Sequence, residues 1–341
     1  MKKIILHCGM RKTGSSALQV QLSQSRETLL QFGFDYIRMG GFALAEQGKI
    51  SSGNCVALAQ SYGQMRGDRN VERRKKTLSA AVKAIRAAEG HVIFSTEFFS
   101  TLPVQNLAKL VDELSAEGDV QLVFFTREQT SFLVSDYVQK IKRHGLQQFP
   151  DEYFPSWEKH KNRLMYFSHF TKLSHAMPDV KISIQPYELS KTHPSGLMGM
   201  FLDMIGAQVP KEGLASDAQI NLSPSPMEIR LMMEINKHGP RMKFSDMLVE
   251  SSHKAGRAKI HSQQVILPPR FKQEIVDFFH DDNEEFFKHF VGGENLYQLS
   301  ENGDEFVDLS KIRFEASDVV DILSGLLVDI DRRVAKIEAA L

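Results

Sequence analysis

The sequence predicts an α/β protein: a parallel β-sheet flanked by helices, followed by a largely helical last third. Two observations predict the sheet. Short apolar runs at 3–8, 91–95 and 120–126 read as buried strands. Helical patterns alternate with them, and strands alternating with helices build βαβ units. A third observation concerns the run from Ile4 to Gln19, which reads as strand, glycine-bearing turn and helix start. That arrangement exposes backbone N–H groups at a helix N-terminus, where they can hold an anion.

Taken in order, the first helix is expected from Ser15 to about residue 31, and the stretch 35–65 is glycine-rich and irregular. Residues 70–89 read as a helix ending at Gly90. The strand at 91–95 and the apolar, β-branched and aromatic run Val120–Thr126 follow, the second leading into a helix over Glu128–Lys142 with Phe132, Val134, Tyr137, Val138 and Ile141 as its apolar positions. A helix at about 156–176 carries Trp157, a strand spans 180–184, and a helix at 195–206 is closed by Gly206. Ser225-Pro226-Met227-Glu228 is a capping box with proline at the first helical position, opening a helix to about 237. Residues 239–266 are polar and lack a clear period, so they read as a mobile loop or lid, before a phenylalanine-rich helix at 268–291. The last helix, 315–341, places Val319, Leu323, Leu326, Ile330, Val334, Ile337 and Leu341 at spacings of three and four. That pattern reads as packing on the body, with a homodimer contact as the alternative. Residues 1–300 are read as one domain and 301–341 as a helical extension.

Composition narrows the function. The 341 residues carry 42 basic and 42 acidic side chains, a formal net charge of zero, so no global basic field points to nucleic acid. Arg66, Arg69, Arg73, Arg74, Lys75 and Lys76 do cluster, which reads as a solvated helix face or as a surface for an acidic polymer. The two cysteines, Cys8 and Cys55, form no disulfide framework and no metal pattern, and the twelve histidines show no ligand spacing; no metal is expected. The apolar run after Met1-Lys2-Lys3 is too short for a signal segment and no run reaches membrane-spanning length, so a cytoplasmic protein is expected.

The turn after the first strand is close to a nucleotide P-loop. Gly9 and Gly14 have the Walker A separation, but Ser15 stands where the lysine belongs and the lysine has moved to Lys12. The phosphate cradle is kept and the charge is displaced, which points away from an ATPase and toward another phosphate-containing donor. A second candidate is Glu97, just past the 91–95 strand. A carboxylate there lies at the carboxyl edge of the sheet, where α/β proteins place their sites. A third is Arg127, at the end of the 120–126 strand, with Ser135 eight residues on. Guanidinium binds phosphate oxygens bidentately and a hydroxyl adds a neutral donor. Taken singly, each also reads as ordinary structure: a lysine in a turn, a helix cap, a surface ion pair.

Together these segments resemble the sulfotransferases that use 3′-phosphoadenosine 5′-phosphosulfate (PAPS), in particular bacterial carbohydrate sulfotransferase-like proteins with a P-loop NTPase-like fold. Lys12-Thr13-Gly14-Ser15-Ser16 is similar to their 5′-phosphosulfate loop, Arg127 and Ser135 to their 3′-phosphate site, and Ser95-Thr96-Glu97 to the stretch that carries their catalytic base. Softer likenesses run over Leu164–Gly206, Asn221-Leu222-Ser223, Asn236 and Asp282-Asn283-Glu284. The resemblance implies PAPS as co-substrate and no metal, with Gly9, Arg11, Lys12, Thr13, Gly14, Ser15, Ser16, Arg127 and Ser135 binding the donor. It implies Lys12 at the leaving oxygens and Glu97 as base, with His7 in reserve. The acceptor it implies is a hydroxyl on a carbohydrate or glycoconjugate. The alternatives are a P-loop kinase with an altered loop and a non-catalytic nucleotide-binding protein of the same fold.

Overall fold

The structure is a computed structural model and describes residues 1–63, 68–210, 212, 214–215, 224–239, 242–254, 266–298 and 305–338. Five parallel strands form one sheet: β1 (Lys3–His7), β2 (Phe34–Tyr36), β3 (His91–Ser95), β4 (Asp119–Thr126) and β5 (Lys181–Pro186), in the spatial order β2-β3-β1-β4-β5. β1 is therefore central. The register sets His7 beside Ser95 on β3 and beside Val123 on β4. β1 and β3 end level, whereas β4 runs on to Thr126. The segments leaving β1, β3 and β4 thus emerge side by side at the carboxyl edge of the sheet, where open α/β sheets bind ligands.

Fifteen α-helices are described: α1 (Ser15–Gln24), α2 (Arg26–Gln31), α3 (Phe42–Glu46), α4 (Val56–Ser61), α5 (Asp68–Ala87), α6 (Val104–Ser115), α7 (Gln129–His144), α8 (Pro150–Tyr153), α9 (Lys161–Leu164), α10 (Tyr166–Ala176), α11 (Gly196–Ile205), α12 (Pro226–Asn236), α13 (Met242–Lys254), α14 (Pro269–Phe286) and α15 (Ala316–Glu338). The chain divides into two compact units. The first is Met1–Glu128, Met165–Asn221 and Asp282–Asn295; the second is Gln129–Leu164, Leu222–Asp281 and Leu296–Leu341.

The first unit holds the sheet. One face, with Ile5, Ile93, Val123 and Phe125, packs on Leu18 and Leu22 of α1 and on Met198, Phe201, Leu202 and Ile205 of α11. Alternation along the strands turns Phe124 to the other face, where it meets Phe170 of α10 edge-on. In the second unit, the Asn236 amide donates to the carbonyls of Ile141 and Leu146, at 3.0 and 3.2 Å. Arg143 forks onto Asp246 of α13 with two bonds of 2.7 Å. Trp157 lies against Phe278 and Phe279 and donates to Glu274.

Several expectations change. The first helix breaks at Ser25, whose hydroxyl accepts from the Ala215 N–H, so a second helix starts at Arg26. Phe34–Tyr36, which overlaps the start of the irregular stretch, is the edge strand β2, and α3 and α4 follow within that stretch. The helix expected at about 156–176 is a 3₁₀ segment over Phe154–His160 followed by α9 and α10. Within 239–266, the residues Met242–Lys254 form α13 rather than a loop; 240–241 and 255–265 lie outside the described residues. The capping box is present, with the Glu228 N–H donating to the Ser225 hydroxyl and the Ser225 N–H to the Glu228 carboxylate. The apolar stripe expected along the last helix divides: Ile322 and Leu326 are buried, while Val320, Leu323, Leu327, Ile330 and Val334 are exposed. The side chains of Val319 and Ile337, and all of Leu341, lie outside the described part, as do Arg66 and Asn221-Leu222-Ser223.

Between β2 and α4 the chain crosses the edge of the sheet and is fastened there by Asn54. Its amide donates to the carbonyls of Ile37 and Ile93, at 2.9 and 3.1 Å, and its carbonyl oxygen accepts from the Ser95 N–H at 2.8 Å. Asn54 is buried, so truncation would strand three backbone groups without water. Asn54→Ala is expected to lower stability by about 2–4 kcal/mol, in line with the cost of orphaned buried groups, read as a lower midpoint in chemical denaturation.

Candidate active site

The site is built around the turn between β1 and α1. Gly14 precedes α1 in the left-handed region at φ 76°, with no side-chain cap and no acidic residue in the first turn. The first N–H groups of α1 are therefore left for an outside acceptor, and the helix dipole favours that acceptor being an anion. Lys12 is also left-handed, at φ 69°, the one non-glycine residue with positive φ among the described residues. Such a backbone costs about 1–3 kcal/mol and persists where surroundings hold it, commonly at functional sites. Thr13 is buried and its hydroxyl donates to the Met10 carbonyl at 2.6 Å, which tightens the turn.

Two glycines are dictated by close approach. A Cβ on Gly9 would lie 2.3 Å from the Ser15 hydroxyl oxygen, and one on Gly14 would meet the Tyr187 ring at 2.9 Å and Leu197 at 2.7 Å. The Ser15 hydroxyl therefore turns over Gly9, into the turn. It is buried and has no protein partner. Ser16 follows, half-buried.

Arg127, just past β4, reaches across to the turn. Its guanidinium donates to the Lys12 carbonyl at 2.5 Å and lies over the Tyr187 ring, 5.6 Å from its centre. The guanidinium Nε is buried without a protein partner. The Tyr166 hydroxyl donates to the Arg127 carbonyl at 2.6 Å. Glu188 accepts from the Glu128 N–H at 3.1 Å. Burial raises the Glu188 pKa, while the Arg127 charge pulls it down. Tyr187 and Glu188 thus brace Arg127 from the end of β5. A carboxylate just past a buried strand, the signal that singled out Glu97, also marks Glu188.

Glu97 is half-buried beside the same turn. Burial raises its pKa, and the charges of Arg11 and Lys12 act against that rise. Its segment is tied to the turn by Ser100, whose hydroxyl is bonded both to the Glu97 carbonyl, at 2.8 Å, and to the Gly9 carbonyl, at 3.1 Å. The structure therefore brings together Gly9, Arg11, Lys12, Thr13, Gly14, Ser15, Ser16, Glu97 and Arg127. Ser135 stands half-buried on α7, in the second unit.

His7 is a different kind of residue from Glu97. It has no solvent exposure, its ring lies edge-on to Phe125 and Phe201, and burial pushes its pKa down to about 3. Its Nδ1 is 2.8 Å from the Ser95 hydroxyl, which also accepts from the Gln19 amide at 3.1 Å. The imidazole is thus a neutral member of a buried polar chain beneath the turn. Spacing along the sequence gave no sign of Gln19, Asn54 or Ser95 as the footing of that turn.

No protein-family model matches the chain. An uncharacterized protein of Archaeoglobus fulgidus is 28% identical over 224 residues, 63% of this chain. The chain thus spans only 58% of that relative's length. Among solved structures, a sulfotransferase from Alicyclobacillus acidocaldarius overlaps with a TM-score of 0.48 at 12% identity, covering 87% of this chain and 99% of the other. Retinol dehydratase, in complex with androsterone and the inactive cofactor PAP, overlaps at 0.37 and 12% identity, covering 86% and 83%. A sulfotransferase domain from the curacin biosynthetic pathway overlaps at 0.34 and 11% identity, covering 80% and 96%.

The raised pKa of Glu97 has a measurable sign. The folded state holds the proton to higher pH than the unfolded chain, so ionised Glu97 lowers stability as pH rises above the unfolded value, about 4.3 for glutamate. Glu97→Gln is expected to raise the denaturation midpoint at neutral pH, with the gain disappearing near pH 4. Paired denaturation curves from pH 4 to 8 check it; a gain that grows toward acid contradicts it.

Proposed function

We propose that this chain is a PAPS-dependent sulfotransferase acting on an acceptor hydroxyl of a carbohydrate or glycoconjugate. One observation carries the reading: an uncapped helix N-terminus whose preceding turn holds a left-handed lysine and a buried, unpartnered Ser15 hydroxyl. These features suit a bound phosphate, because the orphaned hydroxyl and the N–H groups of Thr13 to Ser16 are donors that a phosphate would satisfy. The lysine lies before the second glycine rather than after it, which suits a phosphosulfate better than a nucleoside triphosphate.

When bound, the donor supplies the sulfuryl group and a phosphate leaving group. The backbone of Thr13 to Ser16, with the Ser15 and Ser16 hydroxyls, holds the 5′-phosphate, and Gly9 leaves room for the Ser15 hydroxyl to turn over it. Lys12, with Arg11 beside it, faces the leaving oxygens, where charge grows as the bond breaks and a fixed cation is most effective. Arg127 reads the 3′-phosphate while also holding the Lys12 carbonyl. We assign the positive charge of the site to these side chains and not to a metal ion.

Glu97 takes the proton of the acceptor hydroxyl onto its carboxylate. We prefer it to His7 on two grounds. Glu97 is reachable, and its raised pKa makes it a stronger base than an ordinary carboxylate. His7 is enclosed in the core, and a ring held neutral down to about pH 3 is a weak proton acceptor. Two buried free thiols, Cys8 and Cys55, suit a reducing, cytoplasmic setting. Among the described residues no helix is long and apolar enough to cross a membrane. We also propose a homodimer contact through α15, whose exposed Val320, Leu323, Leu327, Ile330 and Val334 follow the alternating three-four spacing of a coiled-coil seam.

Calorimetry with 3′-phosphoadenosine 5′-phosphate (PAP), AMP and ATP tests the donor assignment. Wild-type protein is expected to prefer PAP, and Arg127→Ala to lose about 2–3 kcal/mol of PAP affinity, the range for a charged hydrogen-bonding partner, together with the preference over AMP. Equal wild-type binding of PAP and AMP would remove the reading.

Turnover tests the chemistry. Lys12→Ala should reduce kcat far more than PAP affinity, because its contact strengthens in the transition state. Glu97→Gln should reduce kcat by about 10²–10⁴-fold with donor binding nearly unchanged. Activity should survive a chelator; loss with rescue by magnesium would favour a kinase.

A further inference from the structure

We infer that His7 is a positioning residue of the donor site: its Nε2–H supports the Ser15 oxygen, directly or across one buried water, and so leaves the Ser15 proton for the 5′-phosphate. This rests on the sulfotransferase reading. His7 touches neither donor nor acceptor and acts only through Ser15.

Two orphans carry the inference. His7 Nε2 and the Ser15 hydroxyl are both buried, and neither has a protein partner. A buried polar group left unpaired costs about 1–3 kcal/mol. The His7 ring lies edge-on to Phe125 and Phe201, so for packing alone a phenylalanine would serve that layer without the orphan. A histidine there is explained when both of its nitrogens have partners.

The two orphans adjoin. A Cβ on Gly9 would lie 2.3 Å from the Ser15 hydroxyl oxygen and 3.2 Å from His7 Cε1, the ring carbon bonded to Nε2. Hydroxyl and imidazole edge therefore share the space over one backbone carbon, the first reaching it from the start of α1 and the second from the end of β1. Rotation of the hydroxyl or one bridging water closes such a separation. The ring is anchored at its other nitrogen. Nδ1 is 2.8 Å from the Ser95 hydroxyl, which accepts from the Gln19 amide at 3.1 Å, and Gln19 stands one turn after Ser15 on α1.

Proton bookkeeping gives the direction. Burial lowers the His7 pKa to about 3, so the ring is neutral and carries a single N–H. A hydroxyl that donates to a phosphate has only lone pairs left, so its second partner must be a donor. That places the His7 proton on Nε2, and Nδ1 then accepts the Ser95 proton. Donation runs one way, from Gln19 to Ser95, to His7, to Ser15 and to the phosphate, and hydrogen bonds chained in this sense strengthen one another. The opposite tautomer would draw the Ser15 proton toward Nε2 and away from the anion.

Calorimetry on the full chain compares PAP with adenosine 3′-phosphate, which lacks the 5′-phosphate. His7→Asn keeps an amide near the Nδ1 position only, and PAP should bind about threefold to tenfold more weakly, the range for one neutral hydrogen bond. His7→Gln carries an amide N–H out toward the Nε2 position and should restore PAP affinity. Adenosine 3′-phosphate should bind wild type and both variants alike. With Ser15→Ala already in place, His7→Asn should change PAP affinity by no more than the about twofold scatter of additive effects. In the wild-type complex with PAP, the ¹⁵N shifts of His7 should report a protonated Nε2 and a bare Nδ1. Equal weakening of both nucleotides, a loss that persists without the Ser15 hydroxyl, no recovery in His7→Gln, or an Nδ1–H tautomer with PAP bound overturns the inference. The tautomer is read on wild-type protein, so it decides even where a variant does not fold. Failure of wild-type protein to bind PAP would instead overturn the sulfotransferase reading, and this inference with it.

Discussion

The hydrogen bond from the Arg127 guanidinium to the Lys12 carbonyl is the contact on which the rest of the site depends. A left-handed backbone at a lysine is unfavourable by about 1–3 kcal/mol. A charged donor on its carbonyl returns about 1.5–3 kcal/mol, enough to hold the conformation. The bond also joins the segments leaving two different strands, β1 and β4. It exists because β4 runs three residues past the level at which β1 ends, so that its terminal arginine stands beyond the turn and reaches back to it. The bond uses one guanidinium nitrogen, and the planar group also lies over the Tyr187 ring, a stacking that a lysine ammonium does not reproduce.

Beneath the turn, the ends of β1 and β3 are joined by side chains instead of by further backbone pairing. His7, Ser95 and Gln19 form a buried polar chain, and Asn54 satisfies the Ser95 N–H and the Ile93 carbonyl from outside the sheet. Burial keeps His7 neutral, which lets its ring serve as a hydrogen-bonding member of an otherwise apolar layer between Phe125 and Phe201. A buried network of this kind stiffens what it joins where its members are paired; His7 Nε2 and the Gln19 amide oxygen lie outside that pairing, buried without a partner. The consequence for function is positional. Ser95 is two residues before Glu97, so what holds Ser95 against β1 also fixes where Glu97 emerges relative to Lys12.

The parts of the structure legible in the sequence were those with strong local signals. β1, β3 and β4 are near-continuous apolar runs, as strands buried on both faces must be. The glycine pair and displaced lysine marked the turn, and Ser225 with Glu228 marked a helix start. β2 was missed because it has three residues at the sheet edge, and its pairing to β3 depends on a partner 57 positions away in the chain, Phe34 to His91. α13 was missed because half-exposed polar residues give little period. The footing residues Gln19 and Asn54 had no signal, and Ser95 was marked only as part of the Ser95-Thr96-Glu97 stretch, since their roles arise only where the register sets them together. The split stripe on α15 is similar: spacing identified apolar positions, but only the body could decide that Ile322 and Leu326 face inward.

Glu97 sits under two opposed influences whose balance is structural. Desolvation disfavours its charge, and Arg11 and Lys12 favour it. Cations nearer to it would lower its pKa and weaken it as a base, and cations farther away would let burial raise its pKa more. The backbone on the two sides is linked by Ser100, whose hydroxyl lies within bonding distance of the Glu97 and Gly9 carbonyls. One serine thus ties the segment that carries Glu97 to the segment that carries Arg11 and Lys12. Because the attraction between charges falls with separation and rises steeply as the effective dielectric drops, small displacements of the 97–100 segment would change basicity more than they change contact. The site therefore demands rigidity at Ser100 for the same reason that it demands it at Arg127: each places a charge whose effect depends on where its neighbour is held.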